Sequence, residues 1–230
     1  MSSTPITREQ WKLMAVLSLF WGTLFGALGI FFPYYSLYLK EDLGLTGQQV
    51  GTAMGVFHLI GLIGQPAWGY IADRTGSRKR VLVILSTGMA LGFVAFWFVE
   101  KYAMLLLVSA GFAAFSTSLI PQGMALGLGL LYRSNNSHFE WVRAFGSVGF
   151  LVTCFGFPYL LDAMKTESGG SNMGLLFPCS AAIILLTTVT VFFIPNQEVI
   201  REKAEPGSWR RLFADSRFLR FFIYVFLANF

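Results

Sequence analysis

A single arginine inside an otherwise apolar stretch is the residue of this sequence with the clearest chemical potential. Arg143 lies in the run 138–161, where a charge is costly unless it faces a watery cavity, binds a ligand or reaches back to the surface. A guanidinium binds a carboxylate through two parallel hydrogen bonds. Gln122, in the preceding apolar run, can donate to the same anion. The pair predicts a site for an anionic solute; the alternative is an arginine that only reaches toward lipid phosphates.

Three further side chains are candidates for the same site. Tyr34 or Tyr35 could stack on an aromatic ring of the solute, although tyrosines, like Trp21, also serve as anchors at the membrane surface. His58 lies in the second apolar run, where an imidazole could carry protons. A hydrogen-bonded packing role is the alternative for His58. The predicted substrate-binding set is therefore Arg143, Gln122, Tyr34, Tyr35 and His58.

The most specific motif is the segment 69–80, which reads GYIADRTGSRKR between the second and third apolar runs. Gly69 would let the end of the second run pack closely, Asp73 would sit at the membrane boundary, and Gly76 would permit a tight turn. An ordinary basic loop explains the cations but not this order of glycine and aspartate. The cations that would hold the loop at an anionic membrane surface are Arg74, Arg78, Lys79 and Arg80.

The elements that must position these residues are long apolar runs. The chain of 230 residues is 55% apolar and 13% charged, with a mean hydropathy of +0.61, whereas a soluble domain carries about 25% charged residues. A helix of about 20 apolar residues crosses the hydrocarbon core of a bilayer. The runs exclude an ordinary soluble domain and predict an all-α membrane protein with six spans. They cover about 13–39, 48–70, 81–99, 102–132, 138–161 and 174–194, and a seventh begins near Phe218.

The charges between the runs predict an orientation. Lys and Arg accumulate on the cytoplasmic side of membrane proteins. Here they are dense before the first run, between the second and third, and after the sixth, whereas the alternate loops contain Lys40, Lys101 and Lys165. We therefore expect a multi-pass protein of the plasma (inner) membrane with a cytoplasmic N-terminus. The bilayer, and not nucleic acid, is the expected partner of these cations.

Other kinds of chemistry have no motif in the sequence. There is no phosphate-binding loop of the Gly-x-x-x-x-Gly-Lys-Ser/Thr type. No His, Cys or Glu cluster has the spacing of metal ligands, and no nucleophile stands with a base in a soluble context. We therefore expect no enzyme, no cofactor and no metal.

The first three runs and the last three share an architecture. Runs one and four are the longest, and each contains an interior proline, Pro33 and Pro121. Each also has small residues at four-residue spacing, which let helices approach closely: Gly22 with Gly26, and Gly123 with Gly127. Interrupted helices at matching places in two repeats point to the substrate path of a transporter. Prolines that are simply tolerated in membrane helices are the alternative.

The segment 69–80 resembles the signature loop of the major facilitator superfamily, at the same place between spans two and three. The resemblance implies a bundle of six helices built as a 3+3 inverted repeat, which is half of a twelve-span transporter. It implies the domains 1–194 (bundle), 195–216 (cytoplasmic linker) and 217–230 (start of a seventh helix), with a second six-helix half as partner. In that superfamily the aspartate, here Asp73, latches the two halves together. The implied conformational gate comprises Gly69, Asp73, Arg74, Gly76 and Arg78.

The fifth run resembles one branch of that superfamily, which includes lactose permease, the phenylpropionate permease-like proteins and, more loosely, nucleoside:proton symporters. The segment 141–150, WVRAFGSVGF, carries the resemblance, and Arg143 falls on an arginine that contacts substrate in the lactose permease. Trp141 and Glu140 depart from the pattern. The fourth run contains no carboxylate to accompany Arg143, which argues against sugar and favours an anion.

The resemblance implies a secondary active transporter, a proton-coupled symporter of a small organic solute that works by alternating access. An aromatic or other carboxylate is the solute class that Arg143 favours. The alternatives are a nucleoside or sugar symporter of the same superfamily, and a receptor or structural subunit built on the same bundle.

Overall fold

The computed structural model describes residues 7–134, 138–164, 173–196, 215–220 and 224. It divides the chain into a unit of residues 1–199 and a unit of residues 200–230. In the first unit, the described residues form six helices long and apolar enough to cross a membrane, as predicted. They are α1 (Arg8–Glu41), α2 (Gly47–Thr75), α3 (Arg78–Trp97), α4 (Tyr102–Arg133), α5 (Phe139–Ala163) and α6 (Leu176–Phe193), the last preceded by a 3₁₀ turn, Met173–Leu175.

The second unit contains a short helical stretch over residues 216–220. Asp215 precedes it, and its carboxylate accepts a hydrogen bond from the backbone N–H of Arg217 at 2.8 Å. Most of the linker predicted at 195–216, and most of the seventh helix predicted at 217–230, lies outside the described residues.

Local hydrogen bonds fix where α1 and α2 begin. The hydroxyl oxygen of Thr7 accepts a bond from the N–H of Gln10, and the Gln10 side chain accepts one from the N–H of Thr7. Thr46 and Gln49 repeat this capping box at the start of α2. Such caps satisfy N–H groups that the helix itself leaves unpaired.

The packing of the helices obeys the predicted repeat. α1 packs on α5 and α6, α4 packs on α2 and α3, and α3 packs on α6. If α1, α2 and α3 exchange places with α4, α5 and α6 respectively, the same pairs of helices are in contact. α1 and α5 run parallel, because Gly22 lies near Phe145 and the later Gly29 lies near Phe150. The described bundle is therefore two three-helix repeats that interlock, rather than two that stand side by side.

Small residues form the contact between α1 and α5. A Cβ added to Gly149 would collide with the carbonyl of Gly22, and one added to Gly29 would lie 2.5 Å from the carbonyl oxygen of Phe150. The hydroxyl of Thr153 donates to the carbonyl of Gly26 at 2.7 Å. With no side chains between them, the two backbones approach closely, as helices in a bilayer do at small-residue faces.

An aromatic cluster holds α1, α3, α4 and α6 together. The rings of Phe31 and Tyr35 stack at 4.6 Å, and Phe31 also contacts Phe112 of α4 at 5.0 Å. Phe96 of α3 stacks on Phe177 of α6 at 5.1 Å. Each such pair contributes about 0.5–1.5 kcal/mol beyond its buried area.

Candidate functional site

The loop between α2 and α3 turns at Gly76. This glycine has a φ of +67°, caps the end of α2, and donates its N–H to the carbonyl of Ala72 at 3.1 Å. A residue with a Cβ pays about 1–2 kcal/mol in that left-handed conformation. The hydroxyl oxygen of Ser77 then accepts the N–H of Arg80 at 3.4 Å and caps α3. The tight turn predicted at Gly76 is present.

Asp73 forms an ion pair with Arg78 across this turn, with 3.3 Å between a carboxylate oxygen and Nη2. The Asp73 side chain is 65% exposed and that of Arg78 is 26% exposed. An ion pair this exposed contributes at most about 1 kcal/mol. Arg74 points to Tyr70, whose hydroxyl accepts a bond from its Nη1 at 3.2 Å. The Asp73 carboxylate is therefore oriented by Arg78 and still accessible to a further partner.

Gly69 makes no close contact among the described helices, so its predicted packing role stays a prediction. A Cβ at Gly69 would lie 3.8 Å from Nε2 of Gln122, which is an ordinary van der Waals distance. The close approach of α2 to α4 occurs earlier, at Gly61, where an added Cβ would lie 2.9 Å from Cγ2 of Thr117. Trp68 supplements it with a hydrogen bond from Nε1 to the carbonyl of Ala114 at 2.7 Å.

Lys79 has a specific role that its sequence context did not reveal. Its Nζ donates to the carbonyl oxygen of Phe192 at 2.7 Å and to that of Ile194 at 2.6 Å. Carbonyls at the end of a helix lack partners within the helix and attract a cation. The same loop that holds Asp73 thus also holds the end of α6. In the sequence, Lys79 is one of four neighbouring cations, and its charge alone does not single it out.

Arg143 packs on aromatic rings of α1. It is partly buried near the start of α5, and its Cζ lies 5.8 Å from the ring centre of Trp21 and 5.4 Å from that of Phe25. A guanidinium over an aromatic face is stabilised by about 0.5–2 kcal/mol. Within the described residues Arg143 forms no ion pair. Its charge is therefore sheltered by rings, without a carboxylate from the described part of the chain.

Two buried polar atoms, one on α1 and one on α4, have no hydrogen-bond partner in the described residues. One is the donor Nε1 of Trp21, whose side chain is 0% exposed, and the other is the acceptor Oε1 of Gln122, which is 8% exposed. The Trp21 ring lies 3.5 Å from a Cβ placed at Gly123, so it touches α4 next to Gln122. Buried polar groups almost always have partners, so each of these two atoms is a place where water or a ligand can bind. Of the two, only Trp21 contacts Arg143.

The structure does not bring the predicted tyrosines to Arg143. The Tyr34 hydroxyl donates to the carbonyl of Cys154 at 2.8 Å, and its ring packs on Phe157 at 5.0 Å. Tyr35 is 4% exposed and its hydroxyl bonds to Ser109 at 3.1 Å. Tyr34 lies about 14 Å beyond Phe25 along α1, at ~1.5 Å per residue.

The interpretation of Trp21 and Tyr35 as anchors at the membrane surface is wrong, because both are buried against neighbouring helices. An anchor must present its polar edge to the surface, and each of these side chains is enclosed by the bundle. Trp21 instead belongs to the site around Arg143, and sequence reasoning did not include it there.

His58 is exposed on α2, apart from that site. Its Nδ1 lies 2.8 Å from the carbonyl oxygen of Met54 in its own helix. The neighbouring Phe57 contacts Phe32 of α1 at 6.2 Å, about two turns beyond the level of Phe25. No group of three or more His, Cys, Asp or Glu side chains that could hold a metal occurs among the described residues.

Comparison with known proteins identifies the family. The sequence matches the profile of the MFS_1 like family over residues 13–230. This chain belongs to the major facilitator superfamily. Accordingly it is a multi-pass membrane protein, and the six spans and their paired repeats are the six-helix bundle of that superfamily.

Several superfamily members are similar to this chain. An uncharacterized transporter of Bacillus subtilis (strain 168), YwbF, is 28% identical over 92% of this chain and 51% of its own length. A probable 3-phenylpropionic acid transporter of Escherichia coli (strain K12) is 32% identical over 70% of this chain and 44% of its own length. A maltose permease of Geobacillus stearothermophilus is 26% identical over 64% of this chain. The chain spans about half the length of the first and less than half the length of the other two.

The fold of this superfamily member agrees with a solved structure. The nucleoside transporter NupG superposes on 94% of the chain with a TM-score of 0.75 at 17% sequence identity, and the match covers 54% of that protein. At this identity the likeness concerns the fold alone. The relatives named here are transporters and permeases.

Proposed function

We propose that this chain is the first six-helix half of a secondary active transporter that takes up a small organic anion together with protons, by alternating access. The observation that carries the proposal is the guanidinium of Arg143, which lies on Trp21 and Phe25 without an ion pair in the described residues. The 3-phenylpropionic acid named for one relative is an aromatic carboxylate, the class of solute that such a site would take.

The arrangement suits an anion for two reasons. A guanidinium presents five N–H donors, and the aromatic rings beside it, unlike a carboxylate, do not neutralise its charge. The α4 segment, residues 102–133, has no Asp or Glu that could neutralise the arginine from the neighbouring helix. The unpaired indole N–H of Trp21, on the ring that Arg143 contacts, is an uncharged donor for the same anion. Gln122 remains a predicted member of the site. Tyr34, Tyr35 and His58 remain predictions for other parts of the path.

The second half of the transporter would face the gate, for which Gly69, Asp73, Arg74, Gly76 and Arg78 are the predicted residues. We place this loop and the N-terminus of α1 in the cytoplasm, because their end of the bundle is the more basic one. The exposed Asp73 carboxylate is the group available to latch the halves together. The membrane would be the plasma (inner) membrane.

A nucleoside or sugar symporter is the second candidate. The unpaired N–H of Trp21 can donate to a carboxylate or to a hydroxyl, whereas the unpaired amide oxygen of Gln122 accepts and suits only a hydroxyl or a base N–H. The permeases of maltose, melibiose and lactose among the relatives favour the sugar symporter within this candidate.

Counterflow into proteoliposomes that contain the full-length gene product distinguishes these candidates. Labelled 3-phenylpropionate, maltose and uridine are the probes, and Arg143→Lys and Arg143→Gln are the variants. For the carboxylate we expect both variants to bind about 5–150 times more weakly, since a lost charged hydrogen bond costs about 1–3 kcal/mol. Arg133→Gln, an exposed arginine at the end of α4, is the matched control.

Each outcome has one meaning. Full affinity in both Arg143 variants would leave that arginine a purely structural role and remove the anion proposal. Counterflow of maltose or uridine alone would establish the second candidate. No counterflow of any probe by correctly folded protein would favour a receptor or a structural subunit.

A further inference from the structure

An apolar groove of about 520 Å³ opens between the first halves of α1 and α5. Trp11, Ala15 and Leu19 line it from α1, and Trp141, Phe145 and Val148 line it from α5. The site proposed above does not use these six side chains, and all six are exposed in the described bundle. Gly22 and Gly149 form its inner end, where the two helices meet.

The groove lies on the outer side of α1. At ~100° per residue, Trp11, Ala15 and Leu19 share one face of the helix. The buried residues Leu17 and Phe20 from the same stretch lie on the opposite face, which packs into the bundle. The groove therefore opens away from the core of the described helices and away from α4.

Cations continue the groove beyond its tryptophans. Arg8 precedes Trp11 by one helical turn on the same face of α1, and Lys12 lies at the edge of that face. Lys12 pairs with the exposed Glu9 at 2.9 Å, which is a weak surface interaction. Glu140 precedes Trp141 but points about 100° away around α5. The open end of the groove, next to the N-terminus of α1, is thus flanked by the cations Arg8 and Lys12.

We propose that this groove binds one acyl chain of an anionic phospholipid, whose headgroup lies between Arg8 and Lys12. The tryptophans Trp11 and Trp141 would stand at the level of the glycerol backbone, where amphipathic rings collect in membrane proteins. Each base near an anionic surface contributes about fivefold to the preference for an anionic lipid.

The length of the groove fits this occupant. From Trp11 to Thr23, the last groove residue on α1, the helix rises about 18 Å at ~1.5 Å per residue. One leaflet contributes about 15 Å to a hydrocarbon core of about 30 Å. A groove that begins at interfacial tryptophans and ends one leaflet deeper has the dimensions of a single extended hydrocarbon chain.

Native mass spectrometry of the full-length gene product tests the proposal. The protein is released from vesicles of equimolar phosphatidylcholine and phosphatidylglycerol, and its retained lipids are identified. We expect one phosphatidylglycerol on the wild type and its loss in Ala15→Phe, which fills the groove from an exposed position. Ala182→Phe, an equally exposed alanine on α6 outside the groove, should retain it. In the double variant Arg8→Gln with Lys12→Gln, the preference over phosphatidylcholine should fall about 25-fold.

Three results would overturn the proposal. The first is that the wild type retains phosphatidylcholine and phosphatidylglycerol equally. The second is that the Ala15→Phe protein and the double variant each keep the wild-type preference for phosphatidylglycerol. The third result concerns a different occupant. If the Ser18→Cys variant crosslinks efficiently to the second half of the full-length protein in the membrane, protein and not lipid covers the groove. The double variant changes only exposed residues, so its result does not depend on how the filled groove affects folding.

Discussion

Lys79 of α3 is bound to Ile194, the residue that caps the end of α6, by a hydrogen bond of 2.6 Å from Nζ to the carbonyl oxygen. A second bond of 2.7 Å reaches the carbonyl of Phe192. The two residues are far apart in sequence, one in the first repeat and one at the end of the second. The turn between α2 and α3 is therefore fastened to the segment that leads out of the bundle.

The first prediction concerns this fastening. Lys79→Ala removes a charged donor from two helix-terminal carbonyls, and we expect the free energy of unfolding to fall by about 1–2 kcal/mol. Lys79→Arg should retain most of it, since a guanidinium can donate to both oxygens. The thermal midpoint of the purified protein in detergent is the measurement. Arg80→Ala removes a neighbouring exposed cation and should change little; an equal loss there would mean that charge, not the two bonds, matters.

The second prediction concerns the contact of α1 with α5. Gly149→Ala places a methyl group against the Gly22 carbonyl, and we expect a loss of about 1–3 kcal/mol through forced separation of the helices. Gly156→Ala lies on the same helix with no atom within 4 Å of the added Cβ, and should be neutral or slightly stabilising. Thermal midpoints of the two variants, compared side by side, decide. Equal midpoints would show that the helices absorb the methyl group without cost.

The third prediction concerns the exposed carboxylate beside the turn. Asp73→Asn should reduce transport by the full-length gene product roughly tenfold while substrate affinity stays within about twofold, because a latch changes a conformational equilibrium of about 1–3 kcal/mol and not the binding site. Counterflow and equilibrium binding of the same solute are the two measurements. Glu9→Gln is the matched control: it removes another exposed acid at the same end of the bundle, also paired with a cation. Lost affinity in folded Asp73→Asn protein would contradict the assignment.

The fourth prediction is a pH dependence at the opposite end of α1. Burial, and then the neighbouring Glu41, raise the pKa of Asp42 above its ordinary value, although N–H groups of Met173 and Gly174 partly lower it. The folded state therefore holds the Asp42 proton more tightly than the unfolded state, and ionisation of Asp42 works against stability. As the pH falls from 7 through this raised pKa, the wild type should gain stability relative to Asp42→Asn.

The difference between the two thermal midpoints, followed from pH 7 to about pH 4, measures that effect. Glu41→Gln removes the adjacent charge and should shift the change in this difference to lower pH. A difference that is constant over the range would show that Asp42 titrates alike in both states.

Some features of this fold follow directly from sequence, because they depend on local properties. The length of an apolar run sets the length of each span. Gly76 sets the end of α2, and Ser77 sets the start of α3. Features that depend on which face of a helix turns inward were not predictable. α1 is apolar on nearly every side, so its sequence does not show that Tyr35 and Trp21 point into the bundle.

The candidate site divides in the same way. The presence of Arg143 in an apolar run was evident, but its aromatic partners lie on α1, more than a hundred residues away, and only tertiary structure brings them together. Glycines are too frequent for their spacing to tell which of them makes a close contact. Gly61 lies too close to α4 for a Cβ, whereas Gly69 leaves room for one, although both belong to the same helix.

The interlocked repeats also have a consequence for biosynthesis. α1 packs chiefly on α5 and α6, whereas α1, α2 and α3 touch one another little. At about 5–20 residues per second, the roughly 100 residues between the end of α1 and the start of α5 take about 5–20 s to synthesise. During this interval Gly22, Gly26 and Gly29 of α1 lie in the membrane without α5, the helix that they contact in the folded protein. Substitutions on the facing side of α5 should therefore reduce how many molecules mature, more than how fast each mature molecule works.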